Sequence, residues 1–382
     1  MKLVRRATEL DAARPVPARR PWRLGVTTLG TLDRVRGRDN NLNLLRFVAA
    51  SLVVFSHSYP LSGHLRAEPL ARATRIFDFA SLAVIVFFAI SGYLIARSFD
   101  RSGGVLDYAS SRALRILPAY VAATVYAAFV IGPWMTTLPW RDYLADARTW
   151  LYVRETLLFV GIDRLPGVFA ANPFPDGVNG SLWTLWVEVF CYGALALAGL
   201  AGALRRPWLA LALAVALFAL AESSPRFLAA LPRSEALLGP RLAGTFVAGA
   251  LAYVWRDRIP VSIPLALAWL AASAALLDTR IEVYVLFGAI AYATFVLAWH
   301  PALDVPGYRR FGDYSYGIYV YAFPTQQAIA ALVGVVSPWL LFGLAYPIVL
   351  ALAVASWHAI EAPALRLKRR AAAVRAGGDH SP

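Results

Sequence analysis

About ten stretches of this 382-residue chain are apolar for long enough to cross a lipid bilayer, and that limits the possible folds more than any other feature. The hydrocarbon core holds no water to bond exposed N–H and C=O groups. A spanning segment must therefore satisfy its own backbone, as an α-helix of about 20 residues does. The runs fall at 42–62, 79–98, 113–132, 181–203, 207–222, 236–254, 261–277, 281–299, 313–335 and 338–358. Charged residues make up 16% of the chain, against about 25% in a soluble domain. The expected fold is all-α, a polytopic integral membrane helix bundle of about ten transmembrane helices. An eleventh run, 150–162, is too short to span and carries Arg154 and Glu155, so it predicts a short interfacial or re-entrant helix.

The net charge of +14 does not point to nucleic acid, because the basic residues gather at the two ends and in alternate loops, as the positive-inside rule requires. The first forty residues hold Lys2 and nine arginines, and Arg366, Lys368, Arg369, Arg370 and Arg375 follow the last run. Both termini are expected in the cytoplasm, with the chain multi-pass in the inner (plasma) membrane. Arg97 and Arg101, Arg205 and Arg206, Arg256 and Arg258, and Arg309 and Arg310 fall on the same side, while Arg66, Arg72 and Arg75 run against the pattern. Three regions follow: a disordered basic arm over 1–40, the membrane domain over 41–363, and a basic tail over 364–382. The sole cysteine, Cys191, excludes an intrachain disulfide, and no metal-ligand spacing or phosphate-binding glycine loop is present.

Within the first run, Arg46 and His57 stand eleven residues apart. Eleven steps of a helix make roughly three turns, so both side chains share one face about 16 Å apart along the axis. An arginine at membrane depth costs about 2.5–3.5 kcal/mol, which favours a protein-lined cavity over lipid. Two readings stand side by side: a functional pair, or a snorkelling arginine with a structural histidine. The second run ends Phe87-Phe88-Ala-Ile-Ser91-Gly92-Tyr93, where Ser91 and Gly92 admit either a neighbouring helix or an elongated ligand close to the backbone. Arg112 and Arg115 neighbour each other near a helix start, suited to bidentate phosphate recognition or to anchoring on lipid phosphates. Ser181, Thr184, Glu188 and Tyr192 form one polar helix face. Glu188 needs a partner inside the bundle, with His57 or Arg46 as candidates, and serves either to orient the imidazole or as half of a buried ion pair. Tyr316 and Tyr319, in the run beginning Gly312-Asp313-Tyr314-Ser315, suit close packing or sugar contacts.

Taken in order, these segments resemble the membrane-bound acyltransferase 3 family over roughly residues 40–365. The resemblance rests on the spacing of Arg46 and His57, on Phe87-Phe88-x-x-Ser91-Gly92-Tyr93, on Arg112-x-x-Arg115 and on Ser181-Leu-Trp183-Thr184-Leu-Trp-Val-Glu188. Members transfer acetyl and related groups from acyl-coenzyme A to glycans and other surface molecules. The resemblance implies that His57 is the catalytic histidine, with Arg46 essential nearby and Glu188 as a further catalytic residue. It also implies that Arg112 and Arg115, with Ser91 and Gly92, hold the coenzyme A donor. Ser181, Trp183, Thr184, Tyr316 and Tyr319 are then the expected acceptor contacts. Acyl-coenzyme A enters as a substrate, and no bound cofactor or metal is expected. The partners are the lipid bilayer and a saccharide or glycolipid acceptor, with no nucleic acid. A different class also accommodates the buried charges: a transporter or flippase of a lipid-linked sugar, with Arg46, His57 and Glu188 lining its path.

Overall fold

The computed structural model describes residues 27–37, 39–75, 77–160, 164–223, 233–276 and 282–367. Among these, the secondary structure is helical apart from two isolated bridges, Thr28 with Pro260 and Thr136 with Val168. The main helices are α1 (Leu29–Arg36), α2 (Leu42–Leu61), α3 (Phe79–Asp100), α4 (Val105–Val125), α5 (Ala147–Leu157) and α6 (Trp183–Leu200). They continue with α7 (Pro207–Ser223), α8 (Arg233–Val254), α9 (Ile263–Ala274), α10 (Glu282–Trp299), α11 (Ser315–Val333) and α12 (Pro338–Ser356). The chain is a multi-pass membrane protein. Five helical stretches among the described residues have both the length and the apolarity to span: Leu42–Leu61, Phe79–Asp100, Val105–Met135, Trp183–Leu200 and Pro338–Leu367. Three shorter apolar helices, Pro207–Ala216, Ile263–Ala274 and Tyr284–Trp299, fall within three other expected runs. The short helix expected over 150–162 is α5, which Asp146 starts by accepting from Arg148 N at 2.8 Å.

Helix α3 lies at the centre, packed against α2, α6, α8 and α10. Its crossing with α8 depends on two glycines. A Cβ on Gly92 would lie 1.9 Å from the Phe246 carbonyl oxygen, and one on Gly249 would lie 2.2 Å from the Ala89 carbonyl oxygen. Small residues let these backbones meet, and van der Waals packing holds the crossing where lipid offers no hydrophobic drive. On the other flank, α11 packs against α2 and α12 and is buried nearly throughout, including the polar Thr325, Gln326 and Gln327. Gln326 Nε2 donates to the Val54 carbonyl and to Ser58 Oγ, both at 2.8 Å, joining α11 to α2. Gln327 Nε2 donates to the carbonyls of Phe174 (2.8 Å) and Gly177 (2.7 Å), tying down the segment ahead of α6.

Pro324 interrupts α11 and lacks the N–H that would bond the Val320 carbonyl. Asn179 Nδ2 supplies the missing donor at 2.9 Å. The loop that opens α6 is thereby fastened to the middle of α11.

Helix α1 departs from the expected disordered arm. Leu29 and Leu32 are buried, and Asp33 pairs with Arg97 at 2.7 Å. Arg34 pairs with Asp257 at 2.6 Å and Arg36 with Asp304 at 2.5 Å. A stretch read as a disordered basic arm folds because two outside acids, Asp257 and Asp304, answer its arginines, its own Asp33 meets Arg97, and two leucines find the bundle. Residues 1–26 of the expected arm and 368–382 of the tail lie outside the described residues. The arginine-rich end of the molecule thus gathers α1, the start of α2, and the ends of α3, α8 and α10.

Candidate active site

Two adjoining cavities occupy the space between α2, α3, α6 and α11. The first, of about 110 Å³, lies toward the arginine-rich end and is lined by Arg46, Ser91, Arg112, Arg115, Glu188 and Tyr316 among others. Its arginines are not equivalent. Arg46 pairs with Asp313 Oδ2, and the same oxygen accepts from Arg115 Nη2 at 2.7 Å. Arg115 Nη1 reaches Glu361 Oε2 at 2.9 Å, and its guanidinium lies 5.6 Å from the centre of the Tyr316 ring. Ser315 Oγ donates to Asp313 Oδ1 at 2.5 Å. Both guanidiniums are thus fixed by carboxylates, as buried charges must be. Arg112 differs: its Nε is buried without a hydrogen-bond partner, and no acid of the described residues pairs with it. Opposite, Glu188 accepts from Ser91 Oγ at 3.0 Å and from the Tyr192 hydroxyl.

The second cavity, of about 160 Å³, lies toward the opposite end and is lined by His57, Asp78, Ser81, Ser181, Trp183 and Thr184 among others. The His57 ring meets the Phe323 ring edge-on, with centroids 5.3 Å apart, and its Nδ1 is buried without a partner. Asp78 caps α3, accepting from Ser81 N at 2.8 Å. Ser181 Oγ is likewise buried and unpartnered, while the Ser181 carbonyl accepts from the Tyr319 hydroxyl at 2.9 Å.

The helical geometry expected of Arg46 and His57 places both inside the bundle, but in two chambers rather than one. Val84, Thr184 and Tyr319 belong to the walls of both. Glu188 does not meet His57 or Arg46: it stands seven residues beyond Ser181 on α6, about 10 Å deeper, and finds Ser91 and Tyr192 instead. Gly92 does not face the first cavity either, since its α-carbon is pressed against α8 at the Phe246 carbonyl. Ser91, Arg112, Arg115 and Tyr316 line the first cavity, Ser181 and Trp183 the second, and Thr184 and Tyr319 both. Two acids were not picked out from the sequence, Asp313 between the arginines and Asp78 beside His57. The signal for Asp313 was present, as a carboxylate opening an apolar run. Among the described residues, no group of three or more His, Cys, Asp or Glu is placed to hold a metal ion.

Comparison with known proteins bears directly on this pair of cavities. A family profile described as an acyltransferase domain matches residues 39–358, which include every residue lining the two cavities. The chain belongs to the acyltransferase 3 family. It is 31% identical over 307 residues to the O-acetyl transferase of Shigella phage Sf6, a match covering 76% of this chain and 86% of the relative. It is also 30% identical over 354 residues to nodulation protein 10 of Rhizobium leguminosarum bv. viciae, covering 87% of this chain and 95% of the relative. No solved structure matches the chain. An acyltransferase must bring a donor carbonyl and an acceptor nucleophile to one point. In this acyltransferase 3 protein, an arginine-lined chamber and a histidine chamber abut at three shared side chains.

Proposed function

We propose that the protein moves a short acyl group, acetyl in the first instance, from cytosolic acyl-coenzyme A to a hydroxyl of a cell-envelope or secreted glycan. The observation that carries this reading is the buried, unpartnered Nδ1 of His57 in a chamber that adjoins the arginine-lined one. The Sf6 relative's name, O-acetyl transferase, supports an oxygen acceptor. The donor enters from the arginine-rich end, which faces the cytosol together with both termini in the inner membrane. Coenzyme A is polyanionic, and Arg112, whose Nε has no partner, offers its phosphates a planar donor group. Arg46 and Arg115, already held by Asp313 and Glu361, act as positioning residues that shape the chamber. Glu188, held by Ser91 and Tyr192, orients that wall.

The thioester carbonyl reaches the second chamber, where Trp183 and Ser181, whose hydroxyl is unpartnered, line the wall that meets the sugar. His57 takes the proton from the acceptor hydroxyl as its oxygen bonds to the acyl carbon. The carbon–sulfur bond then breaks with its electron pair on sulfur, and His57 returns the proton to the thiolate, giving ester and free coenzyme A. General-base catalysis of this kind contributes about 10²–10⁴ in rate.

The test is turnover by the purified full-length chain in lipid nanodiscs, supplied with acetyl-coenzyme A and envelope polysaccharide from the source organism, followed by thiol release and by the mass of the polysaccharide. We expect acetylated product, and a fall of about 10²-fold or more in His57→Ala while coenzyme A binding persists. Wild-type turnover by a folded His57→Ala protein would refute the assignment. Saccharide accumulation in vesicles without donor consumption would favour the transport reading instead.

A further inference from the structure

We infer that Val84, Thr184 and Tyr319 form a neck between the two chambers that sets the length of acyl group the protein accepts. The inference rests on the acyl-transfer reading above. The three residues come from α3, α6 and α11, and they are the side chains common to both cavity walls. A donor held by the arginine chamber must pass its acyl end between them to reach His57.

The neck is built rigidly. The Tyr319 hydroxyl lies 2.6 Å from Thr184 Oγ1 and donates to the Ser181 carbonyl at 2.9 Å. The Thr184 hydroxyl also lies 3.4 Å from the same Ser181 carbonyl, so the two hydroxyls and that carbonyl close a three-membered cluster that ties α6 to α11. The Tyr319 ring also meets Phe87 edge-on at 6.0 Å. One residue further on, Asn179 clamps the Val320 carbonyl, which holds this turn of α11 against the opening of α6. Val84 supplies the apolar side of the passage and is itself buried. Close-packed walls do not yield freely to added volume. The chamber beyond, of about 160 Å³, must hold the acyl group and the acceptor hydroxyl together. An acetyl group clears such a neck, and every added methylene meets its walls.

The test is equilibrium binding of coenzyme A, acetyl-coenzyme A, butyryl-coenzyme A and hexanoyl-coenzyme A to the full-length chain in lipid nanodiscs. The wild-type protein is expected to bind the hexanoyl ester at least about tenfold more weakly than the acetyl ester, since one methylene in a fitted pocket changes selectivity about 10–200-fold. Val84→Ala and Thr184→Ala, which widen the neck from two different helices, should each raise the hexanoyl-to-acetyl ratio by about tenfold. Val84→Phe should move the ratio the other way. Equal binding of acetyl and hexanoyl esters by the wild type, or an unmoved ratio in monodisperse variants, overturns the neck. A wild-type protein with no affinity for coenzyme A or any of its esters overturns the acyl-transfer reading, and the neck with it.

Discussion

At Asp313 one carboxylate serves two guanidiniums, Arg46 from α2 and Arg115 from α4, while Glu361 holds Arg115 from the far side. Asp313→Asn keeps the shape and removes the charge, leaving Arg46 without its acid and Arg115 with one of two. Breaking such a buried pair costs about 3 kcal/mol, to be seen as a lowered midpoint in thermal unfolding of the solubilised protein. An unchanged midpoint would mean that the pairs contribute nothing net. Which residues were legible in the sequence follows from the surroundings of each. His57 and Arg46 stood out because an ionisable group inside an apolar run is costly and therefore rare, and Arg112 because Arg115 neighbours it three residues on. Asp78 did not, because an aspartate just ahead of a helix is ordinary as a cap, and it does cap α3. Glu188 was placed on the right face and at the wrong depth. Helical periodicity fixes the direction a side chain takes but not which neighbour stands at its level.

At the scale of the element, Pro324 and Asn179 form a matched pair separated by 145 residues of chain. The proline frees the Val320 carbonyl, and the asparagine answers it. Asn179→Ala should cost about 1–3 kcal/mol, the penalty of an orphaned buried acceptor. Adding Pro324→Ala, which restores the helical N–H, should recover part of that loss in a double-mutant cycle of unfolding midpoints. Strict additivity of the two changes would sink this account. The apolar helices were visible as runs, yet their limits shifted where polar residues continue a helix beyond the bilayer. Helix α4 starts at Val105, eight residues before its run, because Tyr108 and Ser111 are buried against the bundle there and the Tyr108 hydroxyl donates to the Tyr192 carbonyl at 2.9 Å. Helix α11 was recognisable by length, but the roles of Gln326 and Gln327 in fastening α2 and the segment ahead of α6 were not, since those contacts join residues far apart in sequence.

For the whole molecule, the proposed sidedness is open to direct measurement. A fluorescent protein fused after Leu367 should fold and fluoresce in the cytosol, whereas alkaline phosphatase inserted at Gly334, in the turn between α11 and α12, should be active outside it. The reverse pattern would place the arginine chamber on the wrong side to meet coenzyme A. The broad architecture was written in the chain because a bilayer admits so few solutions for its backbone. Helix α1 was not, since its two leucines are too few to mark it and its charge partners, Arg97, Asp257 and Asp304, lie far along the chain. That small helix also bears on how the protein is handled. Trimming the chain to the first spanning run strips Asp33 from Arg97 and takes Arg34 from Asp257 and Arg36 from Asp304, unpinning the end of α3 and the turns after α8 and α10, which α1 holds together as one plate. The shortest form that keeps this plate whole begins at Thr27, whose carbonyl already bonds Val261 N at 2.9 Å.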